Sequence, residues 1–225
     1  MALRLYFDLM SQPCRALDIF LRVNKIPFET KLVALRKGEH LGEEFAKLNP
    51  FKKVPVLEKD GFVLTESIAI VRYIAREYNI QDNWYPKDTK SQARVDEYLE
   101  WQHLNTRLFG TMVFRERVIT PMLEQKPVNM DKMQFYKNGF VKALDDIENI
   151  FLKDRPYISG DTISVADIFC ACEIEQPLMV GYNPLEDFSK VNSWMKKVRK
   201  ELDPYYTEAH KVTEKMKMAI ASGKL

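Results

Sequence analysis

A chain of 225 residues, 46% hydrophobic and 29% charged, has the make-up of a soluble globular protein with one large domain or two small ones. A formal charge of +2 leaves no basic excess of the kind a dedicated nucleic-acid surface needs, and the pairs Lys52-Lys53 and Lys196-Lys197 are short enough to be solvated faces. No apolar run reaches the roughly 18 residues of a membrane span. The three cysteines, Cys14, Cys170 and Cys172, include no C-x-x-C pair, and the three histidines stand far apart, so no metal site is expected. With no signal peptide, a reducing compartment, the cytoplasm, is the expected location.

In chain order, Leu3 to Phe7 alternates with apolar Leu3, Leu5 and Phe7 and reads as a strand. Pro13 suits the first turn of a helix, and Ala16, Leu17, Phe20 and Leu21 recur at helical spacing. A second strand begins near Phe28, which makes a βαβ unit. A short helix spans Glu43 to Leu48. Asp60-Gly61 between two apolar runs signals a hairpin. A helix with Ile68, Val71, Ala75 and Tyr78 on one face follows. The order βαβαββα is that of a thioredoxin-like α/β domain.

The polar, proline-containing stretch "NIQDNWYPKDTK" reads as a linker, after which strand signals fade. Tyr98, Trp101, Leu104, Leu108 and Met112 predict a first long helix within 89–122, and another helix runs from about Asp131 to Leu152. In "ISVADIF", Ser164 and Asp167 form a capping box, with Ile163 and Ile168 as its staple. Two closing helices follow. The expected division is 1–80 thioredoxin-like, 81–88 linker, and 89–225 all-helical.

Ser11, in "MSQPCRA", stands where a strand meets a helix start. One reading is an N-cap hydroxyl. The other uses the same place to donate a hydrogen bond to a thiolate, since a helix N-terminus favours negative charge. A thiol of pKa near 8.5 needs about 1.4 kcal/mol of preferential thiolate stabilisation per unit of lowering. Val54-Pro55 either opens a strand by position or is the cis-proline site of a thioredoxin-like cleft. Thr65-Glu66-Ser67 is a plain cap or an anion site for a carboxylate. His40 and Lys53 are loop residues that read singly as surface. Taken together, these positions describe a ligand with a carboxylate at each end and a thiol between, which is the layout of glutathione.

The blocks "LYFDLMSQPCRA", "NKIPFE", "KGEHL", "LNPFKKVPVLE", "LTESIAI", "NWYPKD" and "ARVDEYLEWQH", with "ISVADI" further on, resemble the cytosolic glutathione transferases, most closely the theta class, over essentially the whole chain. The resemblance implies glutathione as co-substrate, no tightly bound cofactor, small hydrophobic electrophiles as second substrates and a homodimer. It implies that Ser11 stabilises the thiolate with Arg107 assisting. His40, Leu41 and Lys53 would hold the glycyl end, Val54 before Pro55 the cysteinyl backbone, and Glu66 and Ser67 the γ-glutamyl end. The electrophile is expected near Leu9, Met10, Leu108, Met112 and Arg115. The resemblance further implies attack on alkyl halides, epoxides or isothiocyanates, or reduction of organic hydroperoxides. Cys14, one turn into the helix, is expected to face the core. Two rivals are Tyr6 as the thiol's partner and Cys14 as a disulfide-forming residue. Outside catalysis, the same fold could serve as a ligandin-like carrier or a docking scaffold. Several theta enzymes carry a longer C-terminal extension than "IASGKL", so a more open pocket is expected here.

Overall fold

The computed structural model describes residues 2–222; the last three residues of "IASGKL" lie outside the described residues. Alternation in the first strand is met by burial: β1 (Arg4–Phe7) turns Leu5 and Phe7 inward. α1 (Gln12–Val23) returns along the sheet, with Pro13 in its first turn and Ala16, Leu17, Phe20 and Leu21 fully buried. β2 (Glu29–Leu32) pairs parallel with β1, Arg4 opposite Glu29. Two short 3₁₀ turns (Leu35–Lys37 and Glu39–Leu41) and α2 (Glu43–Leu48) lead to the hairpin of β3 (Val56–Lys59) and β4 (Phe62–Leu64). Its turn residues Asp60 and Gly61 have φ of 52° and 82°, the left-handed pair that a two-residue hairpin requires. The sheet order is β2-β1-β3-β4, with β3 antiparallel to both neighbours. α3 (Ser67–Glu77) completes the thioredoxin-like βαβαββα unit. Its buried face is Ile68, Ile70, Val71 and Ile74, and Tyr78 has already left the helix with extended backbone.

The stretch read as a polar linker is packed. Ile80, Trp84 and Tyr85 are buried, Asn83 Nδ2 donates to Ile163 O at 2.9 Å, and Trp84 O accepts from Val165 N at 3.0 Å. Polar composition hid three large apolar side chains that seal the junction.

The helical part departs from the expected long first helix. α4 (Thr89–Trp101) ends in a 3₁₀ turn (Gln102–Leu104), and Asn105 breaks the path with φ −119° and ψ −101°. α5 (Thr106–Phe114) then starts afresh and runs through a π turn (Arg115–Ile119) into the short α6 (Thr120–Met122). The break changes the phase of the apolar stripe: Tyr98 is buried, whereas Leu104 and Leu108 are exposed. α7 (Met130–Asp146) ends in a second π turn (Ile147–Phe151). α8 (Val165–Leu178) is the central helix and buries all 14 of its residues. Its capping box is formed, with Ser164 N donating to Asp167 Oδ2 at 2.9 Å. α9 (Ser189–Leu202) and α10 (Tyr205–Ala221) close the bundle. α8 packs against α1, α4 and α5, so it touches the sheet domain and the helical domain alike. Gly110 permits the approach of α5: a Cβ there would lie 3.2 Å from the Glu173 carbonyl oxygen. Among the described residues no helix is long and apolar enough to cross a membrane.

Candidate active site

The loop between β1 and α1 is fixed before its serine is reached. Asp8, nearly buried, accepts from Met10 N through Oδ1 and from Leu35 N through Oδ2, both at 2.9 Å, and its carbonyl accepts from Ser11 N at 3.0 Å. Arg15, fully buried on α1, donates to Leu9 O at 2.8 Å, Met10 O at 3.3 Å, Cys172 O at 3.2 Å and Gln176 Oε1 at 2.8 Å. One guanidinium thus ties the loop to α8, with carbonyl oxygens answering a charge that would be costly alone.

Ser11 holds the N-cap position with extended backbone, but its hydroxyl accepts no helix N–H. Its side chain instead meets the thiol of Cys14. Burial pushes that thiol up to about 12, so it stays protonated at neutral pH. A protonated thiol's sulfur is only a weak acceptor, so the serine hydroxyl gives up little by turning its proton to the cleft. Cys14 is fully buried and lines neither part of the cleft. Tyr6 is also absent from the cleft: its hydroxyl donates to Glu58 Oε2 at 2.7 Å.

The cleft has two adjoining compartments. The larger, about 650 Å³, brings Ser11, Met10, His40, Leu41 and Arg115 together with an apolar wall that includes Phe114, Val118, Ile119 and Met216. The smaller, about 340 Å³, holds Pro55, Glu66, Ser67, His103, Leu108 and Met112. Lys53, Val54, Arg107 and Thr111 line both. Leu108 and Met112 therefore stand on the Ser67 side, away from Met10 and Arg115, and Leu9 lines neither compartment.

Several polar groups here lack protein partners. Ser67 opens α3 with its hydroxyl buried and unbonded. Glu66 before it has φ 64°, a left-handed conformation rare for a non-glycine residue. His40 Nδ1 is likewise buried and unbonded, and burial lowers the pKa of that imidazole, with Asp8 opposing. The Val54-Pro55 peptide bond is cis, and Asn49 Nδ2 holds the preceding carbonyl, Lys53 O, at 2.7 Å. Buried hydroxyls and ring nitrogens normally find partners. Two that do not are placed one in each compartment of the cleft, His40 in the larger and Ser67 in the smaller. Arg115 is paired with Glu124 at the rim.

Sequence reasoning missed the layer beneath. Gln12 donates Nε2 to Thr111 Oγ1 at 2.6 Å and to Glu173 Oε2 at 3.0 Å, and Arg107 Nε faces Glu173 Oε1 at 3.8 Å. Beyond the capping Asp167, α8 carries Glu173, Glu175 and Gln176 close together in a helix whose other residues are apolar, and that contrast was the available signal.

Comparisons with known proteins agree with this geometry. The family profile described as Glutathione S-transferase, N-terminal domain, matches residues 1–76, and the C-terminal domain profile matches residues 136–201. Glutathione S-transferase theta-1 from Bos taurus is 40% identical over 218 residues, which is 96% of this chain and 91% of that protein. The apo form of human glutathione-S-transferase T1-1 superposes with a TM-score of 0.91 at 39% identity, covering 96% of this chain and 90% of that one. A human theta-class glutathione transferase in complex with the glutathione conjugate of 1-menaphthyl sulfate superposes at 0.94 with 35% identity, covering 100% and 92%. Likeness of this depth, over sheet and bundle alike, places the chain in the glutathione S-transferase family, as a glutathione transferase of its theta class.

Proposed function

We propose that the enzyme binds glutathione across both compartments and activates its sulfur through Ser11. The γ-glutamyl carboxylate meets the Ser67 hydroxyl and the free N–H groups opening α3, with Glu66 beside them. The cysteinyl backbone pairs with Val54 ahead of Pro55, and the glycyl carboxylate meets His40, Leu41 and Lys53. The sulfur then lies at Ser11, with Arg107, which lines the same compartment, as a second source of positive potential.

The observation that carries this reading is the Ser11 hydroxyl, placed at a helix start and facing the cleft yet capping nothing. A hydroxyl donor and a helix N-terminus both favour the thiolate over the thiol, and one to two units of pKa lowering, about 1.4 to 2.8 kcal/mol, is within their combined reach. The thiolate attacks an electrophilic carbon, forming a C–S bond as halide leaves, as an epoxide C–O bond opens, or as an isothiocyanate takes up the sulfur. With a hydroperoxide it attacks oxygen, and a second glutathione completes the reduction. The apolar wall of the larger compartment, with Met10 and Arg115, takes the second substrate. The division into 1–80, the junction 81–88 and a helical part that supplies the electrophile site, with assembly as a homodimer, belongs to the same proposal.

Ser11→Ala tests it. The absorbance of bound glutathione near 240 nm, followed across pH, should show thiolate forming well below the free thiol's pKa in the wild type. In the variant the midpoint should return toward the free value, and turnover at pH 6.5 should fall by about tenfold to a hundredfold. Equal midpoints with glutathione bound would remove Ser11 from the chemistry and bring a carrier function forward.

A further inference from the structure

Behind the cleft lies a carboxylate that the chemistry above leaves unused. Glu173 is fully buried on α8, and burial pushes its carboxyl up to about 7 against the opposing pull of Arg107, Arg15 and Gln12. Its Oε2 is held by Gln12 Nε2 at 3.0 Å. Its Oε1 accepts no hydrogen bond and faces Arg107 Nε at 3.8 Å. Arg107 spans both compartments and, among the described residues, has this ion pair and no hydrogen bond. A side chain with an arginine's rotamer freedom, anchored at one edge only, owes its direction to that edge. The other titratable groups that face Glu173 are Arg15 on α1, Tyr98 on α4, and Cys170 and Cys172 on its own helix. None of these reaches the cleft.

We infer that Glu173 is a positioning residue: it holds Arg107 by the Nε edge so that the remaining guanidinium nitrogens are directed into the cleft beside Ser11. Gln12, the residue following Ser11, donates to the same carboxylate, and its amide also reaches Thr111, one turn on from Arg107. Serine loop and arginine are thereby referred to one buried point. The inference rests on the reading of Arg107 as a cation that favours the bound thiolate.

The sign of one measurement separates positioning from simple electrostatics. Deleting a buried negative charge would by itself favour the thiolate and lower the thiol's pKa. Loss of Arg107's placement raises it. Thiolate titrations of bound glutathione near 240 nm on Glu173→Gln, Arg107→Ala and the double variant are therefore decisive. The expected result is a rise of about one unit in Glu173→Gln, a rise at least as large in Arg107→Ala, and no further rise in the double variant. A fall or no change in Glu173→Gln, with Arg107→Ala still raised, overturns the positioning role and leaves the reading of Arg107 standing. An equal rise with and without Arg107 also overturns it, because Glu173 would then act by another route. No change in Arg107→Ala defeats the reading of Arg107 itself. Should Glu173→Gln not fold, Glu173→Asp keeps the charge and shortens the tether, and the same rise, confined to the background that retains Arg107, is expected.

Discussion

Ser67 and Ser11 both open helices, and neither hydroxyl serves its own helix as a cap. At Ser11, the N-cap of α1, a hydroxyl withdrawn from its helix forgoes about 1 kcal/mol; at Ser67, the first residue of α3, the hydroxyl is buried with no partner among the described residues. In the proposed binding mode Ser67 meets the γ-glutamyl carboxylate, so its removal should weaken binding without touching the chemical step. In Ser67→Ala, KM for glutathione should rise about tenfold while kcat at saturation stays within twofold, by steady-state kinetics at fixed electrophile. A fall in kcat with KM unmoved would place Ser67 outside the glutathione site. Cys14 illustrates the opposite use of a polar residue. Its thiol is fully buried and protonated, and its service is to the packing of α1 and to the Ser11 side chain above it.

Elements with strong local signals were legible in the sequence: the alternation of β1, the Asp60-Gly61 turn, α2, and the capping box of α8 all depend on neighbours within a few residues. The break at Asn105 was not, because the stripe Tyr98, Trp101, Leu104, Leu108, Met112 keeps helical spacing straight through it. What interrupts it is tertiary, the reorientation that sets α5 against α7 and α8. The site divided in the same way. Ser11, His40, Lys53, Val54 and Ser67 stand in loops, short turns or at helix starts, where local sequence could single them out as candidates; Gln12 and Glu173 meet across 161 positions, and no local pattern joins them. α10 carries a device equally invisible in the sequence. His210 is buried, stacked on Tyr206 at 4.1 Å between ring centroids, with Nδ1 hydrogen-bonded to Tyr206 O at 2.8 Å. Burial pushes its imidazole down to about 3, and Arg15 adds to the effect. Below about pH 6.5 the unfolded chain takes up a proton that the folded one refuses. Stability from this group is therefore complete above pH 6.5 and is lost as pH falls toward 3, by about 1.4 kcal/mol per pH unit. His210→Phe should flatten that slope in urea titrations between pH 4.5 and 7; parallel slopes in variant and wild type would contradict the burial argument.

One hydrophobic cluster runs from Leu3 and Leu5 of the sheet through α1 and α8 to Ala209 on α10. Arg15 and the buried Trp84 and Tyr85 close the same seam with hydrogen bonds and apolar area. Two halves that share one core should not come apart in steps. Unfolding in urea is expected as a single transition, with far-ultraviolet circular dichroism and the fluorescence of Trp84, Trp101 and Trp194 superimposing. Separate midpoints would mean that the helical half stands without the sheet. Within this shared frame, Gly110 has an importance out of proportion to its size. It touches no substrate, and its backbone needs no special freedom. Its single hydrogen lets α5 come close enough to the Glu173 carbonyl for Arg107 to face that residue's carboxylate. A methyl group there would leave the fold recognisable and every residue of the cleft in the sequence, yet would wedge apart the two helices that carry Arg107 and Glu173. In a survey scored by turnover alone, position 110 would pass for part of the chemistry, when its contribution is clearance.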